Sequence, residues 1–238
     1  MKQKKCPECG GSGWIFSDEN GVEVVRVCRC QKLSSFMAGS ERANIPVRFS
    51  GVELKSFFPD QEQPSQQKAL QTASEFVRDY PAVAGGLLLQ GPTGTGKTRI
   101  LCSMANELLK KGFSNLLYFD WNDLVRDSRG NEDSGGRRDF NNFFNLFQRL
   151  AEVELLFLDE LGSARLTPWL EENLFFLVNR RYNNNRITLF ASNFFDERLG
   201  AEELLVERIG ARARSRIYEM TRVLIIQGFD YRQRYPLR

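Results

Sequence analysis

The octet Gly91-Pro92-Thr93-Gly94-Thr95-Gly96-Lys97-Thr98 fits the phosphate-loop spacing G-x-x-x-x-G-K-S/T. It stands between the apolar run Leu87-Leu88-Leu89-Gln90 and an amphipathic stretch that starts at Thr98, the strand–loop–helix context the spacing requires. A polyphosphate is held by several backbone N–H groups turned inward together. Only a glycine-rich turn permits that, and the following helix adds the positive end of its dipole. In this arrangement Lys97 reaches the β- and γ-phosphates and the Thr98 hydroxyl ligates Mg²⁺. A glycine turn that merely joined strand to helix would explain the glycines but not the Lys-Thr pair behind them.

Two further stretches carry matching chemistry. Leu155-Leu156-Phe157-Leu158-Asp159-Glu160 is an apolar strand ending in two acids, the Walker B arrangement, in which Asp159 holds the Mg²⁺ shell and Glu160 orients and polarises the attacking water. Thr188-Leu189-Phe190-Ala191-Ser192-Asn193 is a second apolar run with a polar end. Asn193 can hydrogen-bond the γ-phosphate and the water if its strand lies between the other two. Together these residues point to ATP and Mg²⁺ as cofactors.

Four of the five cysteines fall in the first thirty residues, as Cys6-Pro7-Glu8-Cys9 and Cys28-Arg29-Cys30. Between them, Trp14–Phe16 and Val22–Val27 read as strands joined by a turn ending in Asn20-Gly21, a hairpin that returns Cys28 and Cys30 to Cys6 and Cys9. Four thiolates gathered in this way suit a tetrahedral structural Zn²⁺; a redox pair and an iron–sulfur cluster are the competing readings. The start C-x-x-C-x-G-x-G is similar, over this short stretch, to the zinc knuckle of DnaJ-type proteins. The chain contains no histidine, which excludes His-based triads, His-ligated metals and a His general base.

These residues must be positioned by a chain of 238 residues, enough for one α/β domain and a small appendage. The formal net charge of +3 is too small to indicate nucleic acid by itself. No apolar run is long enough for a membrane span and no signal-peptide core follows the start, so no membrane partner and a cytoplasmic location are expected. The appendage is expected over residues 1–34, a linker with some helix over 35–44, and the main domain over 45–238. Strands are expected at Leu87–Gln90, Leu116–Phe119, Val153–Leu158, Ile187–Ala191 and Val223–Gln227, alternating with helical stretches, which predicts a five-stranded parallel sheet covered on both faces. Residues 127–138 are polar and predict an exposed, mobile loop. Trp121 and Arg126 before it and Phe140, Phe143 and Phe144 after it could stack and pair with single-stranded nucleic acid. The helical spacing of Phe140, Phe143, Phe144 and Phe147 favours core packing for those aromatics instead.

From about Ile45 to Arg234 the chain resembles the AAA+ ATPases, and among them the DnaC/IstB-type helicase loaders. The resemblance rests on Ile45-Pro46-Val47-Arg48-Phe49 ahead of the core, Asp159-Glu160-Leu161-Gly162, Asn179-Arg180-Arg181-Tyr182, Asn193 and Gly228-Phe229-Asp230-Tyr231-Arg232. It implies a P-loop sheet of order 5-1-4-3-2 without a helical lid domain, so that Arg232 partly stands in for a lid-borne sensor. It also implies that Arg216, or else Arg212, within the basic stretch Glu207–Ile217 acts as an arginine finger on a neighbouring subunit's ATP. The remaining arginines there read as a solvated face. The implied function is an ATPase that forms a homo-oligomeric ring or spiral, binds single-stranded DNA and delivers a replicative DNA helicase. The cysteine module, like that of DnaI-like loaders, would dock the helicase. The alternatives are an IstB-like transposition helper acting with duplex DNA and a transposase, and a non-hydrolysing ATP-gated adaptor.

Overall fold

The computed structural model describes residues 6–19, 22–128, 140–164, 167–197 and 203–234. At the N-terminal end, β1 (Trp14–Glu19) and β2 (Val22–Val27) pair antiparallel, with Trp14 opposite Val27 and Glu19 opposite Val22. The Asn20-Gly21 turn lies outside the described residues. Because the two strands are of equal length, the ladder delivers Cys28 back beside Gly13, whose carbonyl accepts from Cys28 N at 2.8 Å.

Helix α1 (Arg29–Arg42) follows directly. The stretch 35–44, expected as a linker, is therefore mostly helix. Its small residues allow a close approach to the main domain: a Cβ on Gly39 would sit 3.5 Å from Leu109 Cδ2. Ser40 and Ala43 are buried. Beyond the helix, Ala43 O accepts from Tyr118 N (2.7 Å) and Asn44 Nδ2 donates to Tyr118 O (3.2 Å). These two bonds occupy backbone groups that an edge strand would otherwise leave open.

After two short 3-10 turns, Val47–Phe49 and Leu54–Ser56, come α2 (Pro64–Asp79), β3 (Gly86–Gln90), α3 (Lys97–Lys110) and β4 (Leu116–Asp120). Then follow α4 (Trp121–Ser128), α5 (Phe140–Glu152), β5 (Leu155–Asp159), α6 (Pro168–Asn183) and β6 (Ile187–Ser192). The described chain closes with α7 (Leu205–Ile209), α8 (Ala211–Met220), β7 (Thr221–Ile225) and α9 (Tyr231–Arg234). The five strands β3 to β7 form one parallel sheet in the order β4-β5-β6-β3-β7. Counted within that sheet this is the expected 5-1-4-3-2, with the Ile187 strand between the phosphate-loop strand and the Walker B strand.

Successive strand residues feed two separate cores, which is why each central strand is apolar throughout. Leu87, Leu89, Leu155 and Phe157 pack with α2 and α3 on one face. Leu88, Leu156 and Leu158 pack with α4 to α8 on the other. Trp121, wholly buried, and Phe147 belong to this second core, as helical spacing implies for Phe147; Phe144 is 65% exposed. Stacking by Trp121 on a nucleic acid is thereby excluded. Arg126 pairs with Asp123 at 3.0 Å, and nearly all of the polar loop 127–138 lies outside the described residues.

Arg181, at the end of α6, is 1% exposed, and its partners among the described residues are neutral oxygens. Its guanidinium donates to Thr188 Oγ1 (2.7 Å) and to the carbonyls of Leu150 (2.8 Å), Val153 (2.7 Å), Ile187 (2.7 Å) and Glu154 (3.4 Å). One planar cation thus gathers the end of α5 and the entries of β5 and β6, a fork that lysine cannot reproduce. β5 begins at Leu155 and not at Val153, whose N–H still donates to Arg149 O of α5 at 3.1 Å. Among the described residues, no helix is long and apolar enough to cross a membrane.

Candidate functional site

The phosphate loop leaves the carboxyl end of β3 and enters α3 through Gly96, whose φ of +97° is left-handed. A side chain is excluded there on a second ground, since a Cβ would lie 2.5 Å from Phe57 Cε2. Lys97, already in the first turn of α3, folds back so that Nζ donates to Gly91 O and Pro92 O, both at 2.8 Å. Burial brings its pKa down to about 8, against the opposing pull of Glu160 and Asp159. Thr95 is buried and its hydroxyl donates to Pro92 O at 2.9 Å, which fixes the loop's shape. Pro92 and Thr93 are exposed at its tip.

Asp159 ends β5 at 2% exposure. Its Oδ1 accepts from Glu160 N (2.8 Å) and its Oδ2 from Tyr118 Oη (2.6 Å). Two donors orient the carboxylate before any ligand arrives. Burial, and then the Asp159 charge, push the Tyr118 hydroxyl pKa well up, so it remains a donor. Glu160 has a left-handed backbone, φ +54°, which costs a non-glycine residue on the order of 1 kcal/mol or more and concentrates at functional sites. The turn is held by Leu161 N donating to Ala191 O at 2.8 Å and by Ser192 Oγ donating to Leu161 O at 2.7 Å. The result aims the Glu160 side chain across β6, where Oε2 accepts from Asn193 Nδ2 at 2.8 Å. Burial, with Asp159 adding to it, raises the Glu160 pKa.

Gly94, Gly96, Lys97, Thr98, Asp159, Glu160 and Asn193 all line one cleft of about 380 Å³, with Arg48, Arg99, Tyr118, Asp120 and Arg232. Three stretches spread over about a hundred residues thus converge, because β3, β6 and β5 are consecutive and parallel and their carboxyl ends share one edge. Tyr118, Asp120 and Arg99 were not singled out in the sequence. The position of Tyr118 and Asp120 at the end of the strand beside β5 is the signal that could have found them. A larger cavity of about 690 Å³, beside Arg42, Asn115 and Arg149, contains none of the sequence-derived site residues.

Arg216 is not brought to this cleft. It lies on α8, with Nη1 3.2 Å from Glu219 Oε2 and its guanidinium 4.4 Å from the Tyr182 ring centre. Arg212 stacks on Phe175. Arg208 departs from the expected solvated face: it is 8% exposed and donates to Gly162 O and Ser163 O, both at 2.7 Å, whereas Arg214 keeps its side chain 39% exposed while pairing with Asp196. Both tie α7 and α8 to the loops that leave β5 and β6.

The four N-terminal cysteines form a second centre. All four Sγ atoms lie within 4.8 Å of one another, with Cys9 and Cys30 at 3.4 Å and Cys6 and Cys28 at 3.8 Å. A tetrahedron with zinc–sulfur bonds of about 2.3 Å has sulfur–sulfur edges of about 3.8 Å, so the donor set fits such an ion. Partial burial opposes ionisation of Cys9, but hydrogen bonds from Gly11 and Gly13 outweigh it and bring the thiol down to about 6. Cys30 is pushed up to about 12, first by its bond to Cys9. Cys102, the fifth, is buried in the core.

Comparison with known proteins agrees with this geometry. The chain is 27% identical over 253 residues to the Bacillus subtilis phage-like element PBSX protein XkdC, covering 98% of this chain and 86% of that protein. It is 27% identical over 144 residues to the Bacillus subtilis replicative helicase loader DnaI, covering 59% of this chain and 44% of the loader. A crystal structure of the DnaC helicase loader superposes with a TM-score of 0.59 at 28% identity, over 76% of this chain and 99% of that one. The family described as IstB-like ATP binding protein matches residues 49–235, nearly the whole of the sheet domain, and the chain belongs to this IstB/DnaC-type AAA+ family.

Proposed function

We propose that this chain hydrolyses ATP and uses the cycle to place a replicative DNA helicase on single-stranded DNA. The observation that carries the ATPase reading is the Asn193–Glu160 hydrogen bond at 2.8 Å beside Lys97 and Asp159. The backbone of residues 91–96 and Lys97 bind the phosphates, and Thr98 and Asp159 hold Mg²⁺. When bound, Mg²⁺ neutralises charge that develops on the phosphate oxygens. Glu160 accepts the water's proton at a carboxylate that burial makes more basic, and Asn193 holds that carboxylate and the water in register. Arg216 completes the site from a neighbouring copy in a homo-oligomer.

Similarity to the loaders DnaI and DnaC supports helicase delivery. We further propose that residues 1–34 are a zinc module that docks the helicase, and that 45–238 form the ATPase domain. The family's own description, IstB-like, favours a second reading, a transposition helper that binds duplex DNA and a transposase. The test is to incubate the chain with the host's replicative helicase, circular single-stranded DNA and MgATP. Helicase should be retained on the circle with the intact chain and not with Lys97→Ala. Retention independent of the chain, or binding to duplex DNA alone, would refute the loader reading.

A further inference from the structure

Gln66, in the first turn of α2, has no exposed surface. A buried amide is costly unless each end is paired, and this one is paired to two separate pieces of chain. Oε1 accepts from Asp60 N and from Tyr231 Oη, both at 2.9 Å, and Nε2 donates to Gln227 O at 3.0 Å. The neighbouring Ser65 Oγ accepts from Gln227 N at 2.9 Å. The chain beyond β7 approaches so closely that a Cβ on Gly228 would lie 2.4 Å from Gln66 Nε2.

The segment held in this way lies on the phosphate loop. Tyr231 N donates to Gly94 O at 3.3 Å, and a Cβ on Gly94, where φ is +82°, would lie 1.9 Å from Asp230 Oδ1. The next residue, Arg232, lines the cleft that contains Lys97, Asp159 and Glu160. It also lines an adjoining cavity of about 530 Å³ walled by Phe57, Phe58 and Tyr231. The Asp60 bond fixes the other side, because Phe57, three residues earlier, is the residue packed on Gly96. One amide therefore joins the two walls that flank the phosphate loop.

We propose that Gln66 is a positioning residue for nucleotide: through Tyr231 and Gln227 it holds the tail so that Arg232 stays in the phosphate cleft. This rests on the ATP-binding reading above. Leucine at 66 would preserve volume but leave Asp60 N, Tyr231 Oη and Gln227 O without their partner, and the tail would lose its register.

The test is a titration of full-length chain with a fluorescent ATP analogue and Mg²⁺, in a cycle of Tyr231→Phe and Arg232→Gln. Tyr231→Phe deletes one hydroxyl and should weaken binding about three- to tenfold, the worth of one hydrogen bond. Gln66→Leu should weaken it further. In the Arg232→Gln background, Tyr231→Phe should change affinity less than about twofold, because the bond acts through Arg232. A structural role alone would give the same loss in both backgrounds, and that result overturns the inference, as does wild-type affinity in Tyr231→Phe. If Gln66→Leu does not fold, the Tyr231 cycle decides alone. Loss of binding in Lys97→Ala with no effect of Tyr231→Phe would refute the inference and leave the ATP reading standing; a wild-type chain that binds no nucleotide would refute both.

Discussion

Asn193 Nδ2 donates to Glu160 Oε2 at 2.8 Å, joining the ends of two neighbouring parallel strands at residues 33 apart in the chain. A carboxylate already held in this way needs little reorganisation to meet a water, so its removal should be felt in turnover and not in binding. Glu160→Gln should retain ATP affinity and lose hydrolysis by at least about 10²-fold, the usual worth of a general base. Lys97→Ala should instead abolish binding. Steady-state phosphate release together with nucleotide titration checks both; normal turnover in Glu160→Gln would remove that residue as the base.

The buried Lys97 makes nucleotide affinity depend on pH. Its pKa in the free protein is about 8, below the ordinary lysine value, so the charged form that attracts phosphate is complete below that pH and is lost above it. Affinity for MgATP should therefore be flat up to about pH 7 and fall as pH rises through 8 and 9, approaching tenfold per pH unit. Lys97→Arg, whose charge persists, should bind with a flat profile over that range whatever its absolute affinity. An unchanged slope in the arginine variant would assign the dependence to another group.

Metal removal should act on the N-terminal centre first. Protein purified without chelator should contain one zinc per chain, and Cys28→Ser should eliminate it, since Cys28 is one of the four gathered thiols and its buried side chain stands at the start of α1. Chelation should abolish amide-exchange protection in β1 and β2 while the sheet domain retains its own transition, because a unit this small depends on its ion. A metal-free preparation with a protected hairpin would contradict the assignment.

Because Arg216 lies away from its own cleft, with Glu219 and Tyr182 as neighbours, activity should require a second copy. Lys97→Ala subunits retain the finger, and Arg216→Ala subunits retain the pocket. Mixed, the two inactive variants should recover part of the turnover, and turnover per chain should rise with concentration. Co-assembly without recovery would exclude Arg216; recovery with Arg212→Ala in its place would transfer the role.

The phosphate loop, the Asp159-Glu160 pair and the cysteine quartet were legible in the sequence because each depends on geometry that a few contiguous residues set. A glycine-rich turn, a strand end and a hairpin of matched strands need no distant partner to take shape. The alternation of apolar runs with helical stretches likewise determined a parallel sheet, since parallel neighbours require long crossovers. What tertiary structure decided was every relationship across the sheet edge. Tyr118 grips Asp159 only because β4 pairs with β5, and Trp121 is core and not a stacking surface only because α4 turns inward. Arg208 reads as solvated in a basic stretch, yet the folded chain buries it against the Gly162 and Ser163 carbonyls. Gln66, in a polar run without any motif, meets a tail 165 residues away. Hydrogen bonds of this kind depend on which strand lies beside which, and no local pattern of residues encodes that proximity.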